Sequence, residues 1–122
     1  MIASPGTLPR SARLQRREHY QEALAAGAAQ TRRYFRIYVR ANDLPHGRLG
    51  LIASSRVAPR AVDRNRFKRM ARELFRGARE RLGGLDVIVQ LRRCPERGAT
   101  PVARTELARL LEELAARTRG GQ

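Results

Sequence analysis

The hydrophobic and polar positions of this chain fall into segments of different period. Between about Arg17 and Ala26 the spacing predicts a helix with Tyr20 and Leu24 on one face and Gly27 placed as its C-cap. Residues 33–40, RYFRIYVR, alternate strictly, with Phe35, Ile37 and Val39 on one side and Tyr34, Arg36, Tyr38 and Arg40 on the other. The turn chemistry of NDLPHG at 42–47 predicts a hairpin into a second strand at about Arg48–Ser54. A helical period returns over residues 60–82 and is ended by the Gly83–Gly84 pair. LDVIVQL at 85–91 is a short apolar run suited to a buried strand. Pro95–Thr100 reads as a loop, with Thr100 able to cap a last helix and Pro101 at its first position. That helix carries Leu107, Leu110, Leu111 and Leu114 at core-facing spacing, a packing stripe. The order αββαβα predicts a single-domain α+β sandwich, helices against a small sheet, with no internal repeat.

Residues 60–82, RAVDRNRFKRMARELFRGARERL, divide the work between two helix faces. At about 100° per residue, Phe67, Met70, Ala71, Leu74, Phe75 and Ala78 form one apolar arc. Asn65, Lys68, Arg69, Arg72, Arg76 and Arg79 fill the next arc, and no acid interrupts them. Most charge runs are solvated faces. Here, however, Arg64/Lys68, Lys68/Arg72 and Arg72/Arg76 are like charges at i,i+4, each unfavourable by roughly 0.2–0.5 kcal/mol. A polyanion along the flank reverses that sign, because each cation that meets a phosphate also releases condensed counterions.

Charge over the whole chain points the same way. A net charge of +15 on 122 residues suits a nucleic-acid binder better than an enzyme for small molecules. Only Lys68 among the 26 basic residues is lysine, and the chain is rich in Ala and Gly, so the Arg preference itself carries less weight than the placement of charge. The second face of the first strand combines tyrosines with arginines, which suits either packing or contact with unpaired bases. Cys94, the only cysteine, excludes an internal disulfide and a cysteine-based zinc cluster and fits a reducing compartment. His19 and His46 have no metal-ligand spacing around them and read as surface or packing residues. Residues 1–12 read as a flexible basic arm, 13–118 as the domain and 119–122 as a tail. Neither a signal-peptide core nor a bilayer-length apolar run occurs, so the expectation is a cytoplasmic protein with no membrane partner.

The stretch RNRFKRMARELFR from Arg64 resembles the signature helix of the bacterial ribonuclease P protein family. RLGLIAS at 48–54, DVIVQLR at 86–92, the LPRSARL lead-in, Tyr20, Leu24, Phe35 and Tyr38 extend the similarity in order and spacing over roughly residues 8–116. The resemblance implies a fold of order αβββαβα related to the second domain of ribosomal protein S5, with a left-handed βαβ crossover through the basic helix. That hand runs against the usual rule.

It also implies a subunit of an endoribonuclease whose catalyst is RNA. The expected partners are the RNase P catalytic RNA and precursor tRNA, with no small-molecule substrate. The magnesium ions that support removal of the 5′ leader are expected mainly on the RNA, with no metal and no catalytic residue on the protein alone. The implied RNA-binding flank comprises Arg60, Arg64, Asn65, Arg66, Lys68, Arg69, Arg72 and Arg76. The implied leader cleft comprises Tyr20, Leu24, Arg36, Tyr38 and Arg56. Ser55–Arg56 stands where many members have two lysines, and Leu24 where members often have phenylalanine, so leader preference is expected to differ. A ribosomal or general RNA-binding protein of the same fold is the alternative. A protein nuclease acting alone has no carboxylate cluster or His pair in this sequence to support it.

Overall fold

The computed structural model describes residues 10–120, with side chains through residue 117. A 3-10 turn at Arg10–Ala12 leads into α1 (Arg17–Ala25), β1 (Gln30–Thr31), β2 (Phe35–Ala41), β3 (Arg48–Ile52), α2 (Ala61–Ala78), β4 (Leu85–Leu91) and α3 (Thr100–Gly120). This is the αβββαβα order, and the added member is the two-residue β1, too short to leave a periodic signal. Gly27 follows α1 as expected, with φ +88° and its N–H on the Leu24 carbonyl at 3.1 Å.

The expected hairpin is not formed. Asp43 adopts φ 57° in the turn, but β4 lies between β2 and β3, so the sheet order is β1-β2-β4-β3. β4 pairs antiparallel with β2 (Tyr38 opposite Ile88) and parallel with β3 (Gly50 opposite Ile88). The reason lies in β4 itself. Val87 and Val89 on one face and Asp86 and Ile88 on the other are all fully buried, and a strand covered on both sides belongs at the centre of a sheet. Residues 42–47 instead cross the end of β4, where the Asn42 N–H donates to the Gly84 carbonyl at 2.9 Å.

One sheet face, with Phe35, Ile37, Leu49, Val87, Val89 and Leu91, packs against α2 and α3. α2 contributes Phe67, Met70, Ala71, Phe75 and Ala78, and α3 contributes Leu107, Leu110, Leu111 and Leu114. Leu74, the remaining member of the predicted arc, is half-buried against this core. The other face carries a smaller cluster of Leu14, Ala23, Tyr38 and Ile88 beneath α1, joined by Tyr20 and Ile52. Both faces are thus covered, and of the two roles the sequence leaves open for Tyr34 and Tyr38 their burial favours packing. Tyr34 is in the main core and Tyr38 is only 9% exposed.

Element boundaries also shift. α2 ends at Ala78, four residues short of the expected end. The Arg79 carbonyl accepts from the Gly47 N–H at 3.1 Å, and a turn tucks Leu82 into the core before Gly84. Arg79 is the C-cap of α2, still in helical conformation and half-buried. Residues 10–12, assigned to the flexible arm, form a 3-10 turn whose Arg10 and Ser11 are exposed. Ala12 is fully buried and the Leu14 N–H donates to the Leu49 carbonyl at 2.8 Å. α3 runs through Gly120 into the expected tail, while residues 1–9 and 121–122 lie outside the described residues.

Candidate nucleic-acid interface

The sheet face under α1 is ordered in rows by register. Arg40, Asp86 and Arg48 form one row, Tyr38, Ile88 and Gly50 the next, and Arg36, Gln90 and Ile52 the third. α1 places Tyr20 over the second row, where Gly50 leaves room for its ring. The Tyr20 hydroxyl donates to the Leu14 carbonyl at 3.3 Å. Burial raises the Tyr20 pKa, partly offset by a hydrogen bond with the Leu51 backbone. Tyr38 forms the floor, its hydroxyl donating to Gln90 Oε1 at 3.2 Å. Leu24 stays 37% exposed on α1, Arg36 is half-exposed on the third row, and Arg56 is exposed in the turn before α2.

On α2, Asn65, Arg66, Arg69 and Arg76 are exposed, while Lys68 and Arg72 are half-buried. The arginines are not equivalent. Arg64 folds back, its Nη1 donating to the Ala58 and Pro59 carbonyls at 2.8 and 3.0 Å, which ties the entry turn to the helix. Arg60 and Arg66 approach Asp63 at 3.9 and 3.5 Å. Lys68, Arg69 and Arg72 have no ion pair or hydrogen bond among the described residues. Glu73, beyond the basic arc, is drawn towards α3 by Arg104 at 3.3 Å.

The two predicted sites meet. Tyr20 from the cleft and Lys68 and Arg72 from the helix flank line one concavity of about 180 Å³, together with Arg13, Leu14, Leu49 and Leu51. It opens along β3, the outer strand of the sheet. Arg13 and Leu14 run beside this strand, so their backbone helps shape the site. An apolar wall beside two unpaired cations is a chemistry that suits a nucleotide, which has a π-face and a phosphate.

Residues not singled out from the sequence extend the basic surface. Arg33, Arg92 and Arg93 line a concavity of about 330 Å³ where β2 begins and β4 ends, next to the Arg36 row. The Arg33 guanidinium lies 5.2 Å from the Tyr34 ring centroid, and the Arg92 N–H donates to the Tyr34 carbonyl at 2.8 Å. Their signal was the Arg pairs at 32–33 and 92–93, which come together only once β2 is paired with β4. Asp86 was also passed over. It is the one buried charged residue among those described, at the other end of the same face.

The ribonuclease P family profile matches residues 8–116, nearly the whole described chain. The chain belongs to the ribonuclease P protein family. The ribonuclease P protein component of Ralstonia pickettii is 39% identical over 111 residues, covering 85% of this chain and 79% of the relative. That of Thioalkalivibrio sulfidiphilus is 44% identical over 84 residues, covering 69% and 70%. Among solved structures, the RNase P protein from Thermotoga maritima superposes with a TM-score of 0.70 at 27% identity, over 83% of this chain and 96% of that one. The Staphylococcus aureus RNase P protein gives 0.68 at 27% identity, over 88% and 94%.

Membership makes this chain a ribonuclease P subunit that works with the RNase P RNA in tRNA processing. The mixed α+β sandwich and its strand–helix order agree with those relatives. Among the described residues no helix is long and apolar enough to cross a membrane. Nor does any group of three His, Cys, Asp or Glu among them come together in a way that could hold a metal ion. Asp86, the buried carboxylate, is fully occupied by Arg40, Asn42 and Arg48.

Proposed function

We propose that this protein binds the catalytic RNA along the α2 flank and the 5′ leader of precursor tRNA in the cleft between α1 and the sheet, assisting magnesium-dependent removal of the leader. The observation that carries the reading is the concavity shared by Tyr20, Lys68 and Arg72, where a stacking surface adjoins two cations free of internal partners. The ribozyme RNA contacts are assigned to Arg60, Arg64, Asn65, Arg66, Lys68, Arg69, Arg72 and Arg76. The leader enters at Tyr20, passes Leu24 and Arg36, and leaves towards Arg33, Arg92 and Arg93, with Arg56 at the rim and Tyr38 as floor. Aromatic surface and backbone charge in sequence are how single strands are held without base readout.

Catalysis belongs to the RNA in this reading, and the magnesium ions are held mainly there. The donor set of the protein fits that division, because its buried carboxylate is already saturated by guanidinium and amide donors. The work of this chain is to fix the leader against the particle and so to favour precursor over mature tRNA, in the cytoplasm. Reconstitution tests it. Protein alone should leave precursor tRNA intact, the cognate RNA with magnesium should cleave it, and adding protein should tighten precursor binding more than mature tRNA binding. Co-purification with ribosomal RNA instead would favour a general RNA-binding protein of this fold.

A further inference from the structure

Asp86 lies outside both proposed RNA surfaces, yet it is the most elaborately partnered side chain described. Its Oδ1 accepts from Arg48 Nε at 2.7 Å and Asn42 Nδ2 at 2.9 Å, and its Oδ2 from Arg48 Nη2 and Arg40 Nη1, both at 2.9 Å. Arg48 thus holds it in a two-pronged fork, and both oxygens are doubly satisfied. Each arginine then continues to α1. Arg40 Nε donates to Glu22 Oε2 at 2.6 Å, and Arg48 Nη2 donates to His19 Nδ1 at 3.3 Å.

His19 and Glu22 are three residues apart, so both project from one side of α1. The chain Glu22–Arg40–Asp86–Arg48–His19 therefore closes on the helix from both ends. With two acids and two arginines it is neutral when His19 is neutral, so its cations are spent internally and are not offered to RNA. Apart from the Tyr20 ring, which packs on Gly50 and bonds the Leu14 carbonyl, α1 has few other holds. It is nine residues long, its N-cap residue Arg16 makes no side-chain capping bond, and Ala23 is its one buried residue. A helix that short depends on tertiary contacts for its placement.

We propose that Asp86 is a positioning residue for leader recognition, holding Arg40 and Arg48 so that they clamp α1, and with it Tyr20 and Leu24, at a fixed distance from the sheet. The inference rests on the assignment of the leader to that cleft. Asp86 touches no RNA. It acts by setting where the stacking wall stands, and a sub-ångström displacement of such a wall is enough to weaken a pre-formed site.

The test compares reconstituted particles carrying the wild-type protein, Asp86→Asn, Glu22→Gln, or both, each first checked for folding by circular dichroism. The ratio of precursor to mature tRNA affinity should fall by roughly three- to tenfold in each single variant. Affinity for the catalytic RNA should stay within about twofold, because the α2 flank is untouched. The double variant should fall no further than Asp86→Asn, since both changes cut one chain. Should Asp86→Asn fail to fold, the exposed Glu22→Gln decides alone. Undiminished discrimination in folded variants would overturn the clamp, whereas wild-type particles that bind the two tRNAs alike would overturn the cleft assignment and the clamp with it.

Discussion

Tyr20 rests on Gly50: a Cβ at residue 50 would meet the Tyr20 ring and hydroxyl at 2.8 Å. No real Cβ tolerates that distance, so the absence of a side chain on β3 is what lets α1 bring its aromatic ring down onto the sheet. Gly50→Ala should therefore push Tyr20 outwards, costing about 1–3 kcal/mol of stability by overpacking. Precursor tRNA binding should weaken as the wall moves. Thermal unfolding and binding on the same preparation check both effects, and an unchanged melting temperature with unchanged binding would mean that Tyr20 swings aside freely.

The cations of α2 should separate into two kinds. Lys68 and Arg72 are free of internal partners among the described residues, so Lys68→Ala or Arg72→Ala should reduce RNA affinity and lower the salt-dependence slope by about one unit per lost phosphate contact. Stability should hold or rise slightly as like-charge repulsion is relieved. Arg64→Ala should weaken RNA binding and also destabilise the fold, because its guanidinium bonds the Ala58 and Pro59 carbonyls. Salt titrations paired with urea unfolding distinguish the two classes. An Arg72→Ala protein with unchanged affinity and slope would make the flank a solvated face.

Local pattern carried the elements but not their neighbours. The arc from Phe67 to Ala78 and the stripe from Leu107 to Leu114 were legible because a helix face repeats within a few residues. Pairing of β2 with β4 was not legible, since NDLPHG has the chemistry of a tight turn whichever strand comes next. That pairing is what sets Asp86 between Arg40 and Arg48 and brings Arg33 beside Arg92 and Arg93, so neither grouping is visible in any one segment. Covering the second face with α1 likewise turned Tyr38 from a stacking candidate into a buried floor.

Glu106 joins α3 to the sheet in a way that also escaped the pattern. One of its oxygens, Oε2, accepts from the backbone N–H groups of Tyr34 and Phe35 at 2.9 and 3.0 Å. These are the donors at the start of β2. Glu106→Leu should leave both without that acceptor and cost about 1–3 kcal/mol, measured by urea unfolding. Affinity for the catalytic RNA should be retained in the folded fraction, because the contact involves none of the residues of the α2 flank. A variant as stable as the wild type would mean that water replaces the carboxylate at no cost.

The Asp86 network should make stability depend on pH in one direction. Burial pushes the Asp86 pKa up, but the bonds from Arg48, Asn42 and Arg40 outweigh it and hold the carboxyl below its usual range. A carboxyl depressed in the folded state contributes stability that is present above the unfolded value of about 3.9 and is lost as pH falls through the folded value. At neutral pH Asp86→Asn should cost about 3–5 kcal/mol, the scale for breaking a buried pair. The gap between wild type and variant should narrow only below about pH 4. Unfolding curves at pH 7, 5 and 3 test this, and a gap already closing between pH 7 and 5 would contradict the depressed pKa.

Tyr20 and Tyr38 allow the stacking wall to be told from the floor. Tyr20 is half-buried and lines the concavity with Lys68 and Arg72, whereas Tyr38 is buried under α1 among Leu14, Ala23 and Ile88. Stacking on an unpaired base is worth about 1–3 kcal/mol, so Tyr20→Ala should weaken precursor tRNA binding by roughly five- to hundredfold while mature tRNA binds as before. Tyr38→Ala should also lower precursor binding, but through a cavity under α1, and so with a loss of stability of about 3–5 kcal/mol on the scale of large-to-small aromatic changes. Tyr38→Phe removes only the hydroxyl bond to Gln90 and should preserve the preference for precursor. Equal losses for precursor and mature tRNA in Tyr20→Ala would show that the ring supports the fold rather than the leader, and would move the leader to another face of the protein.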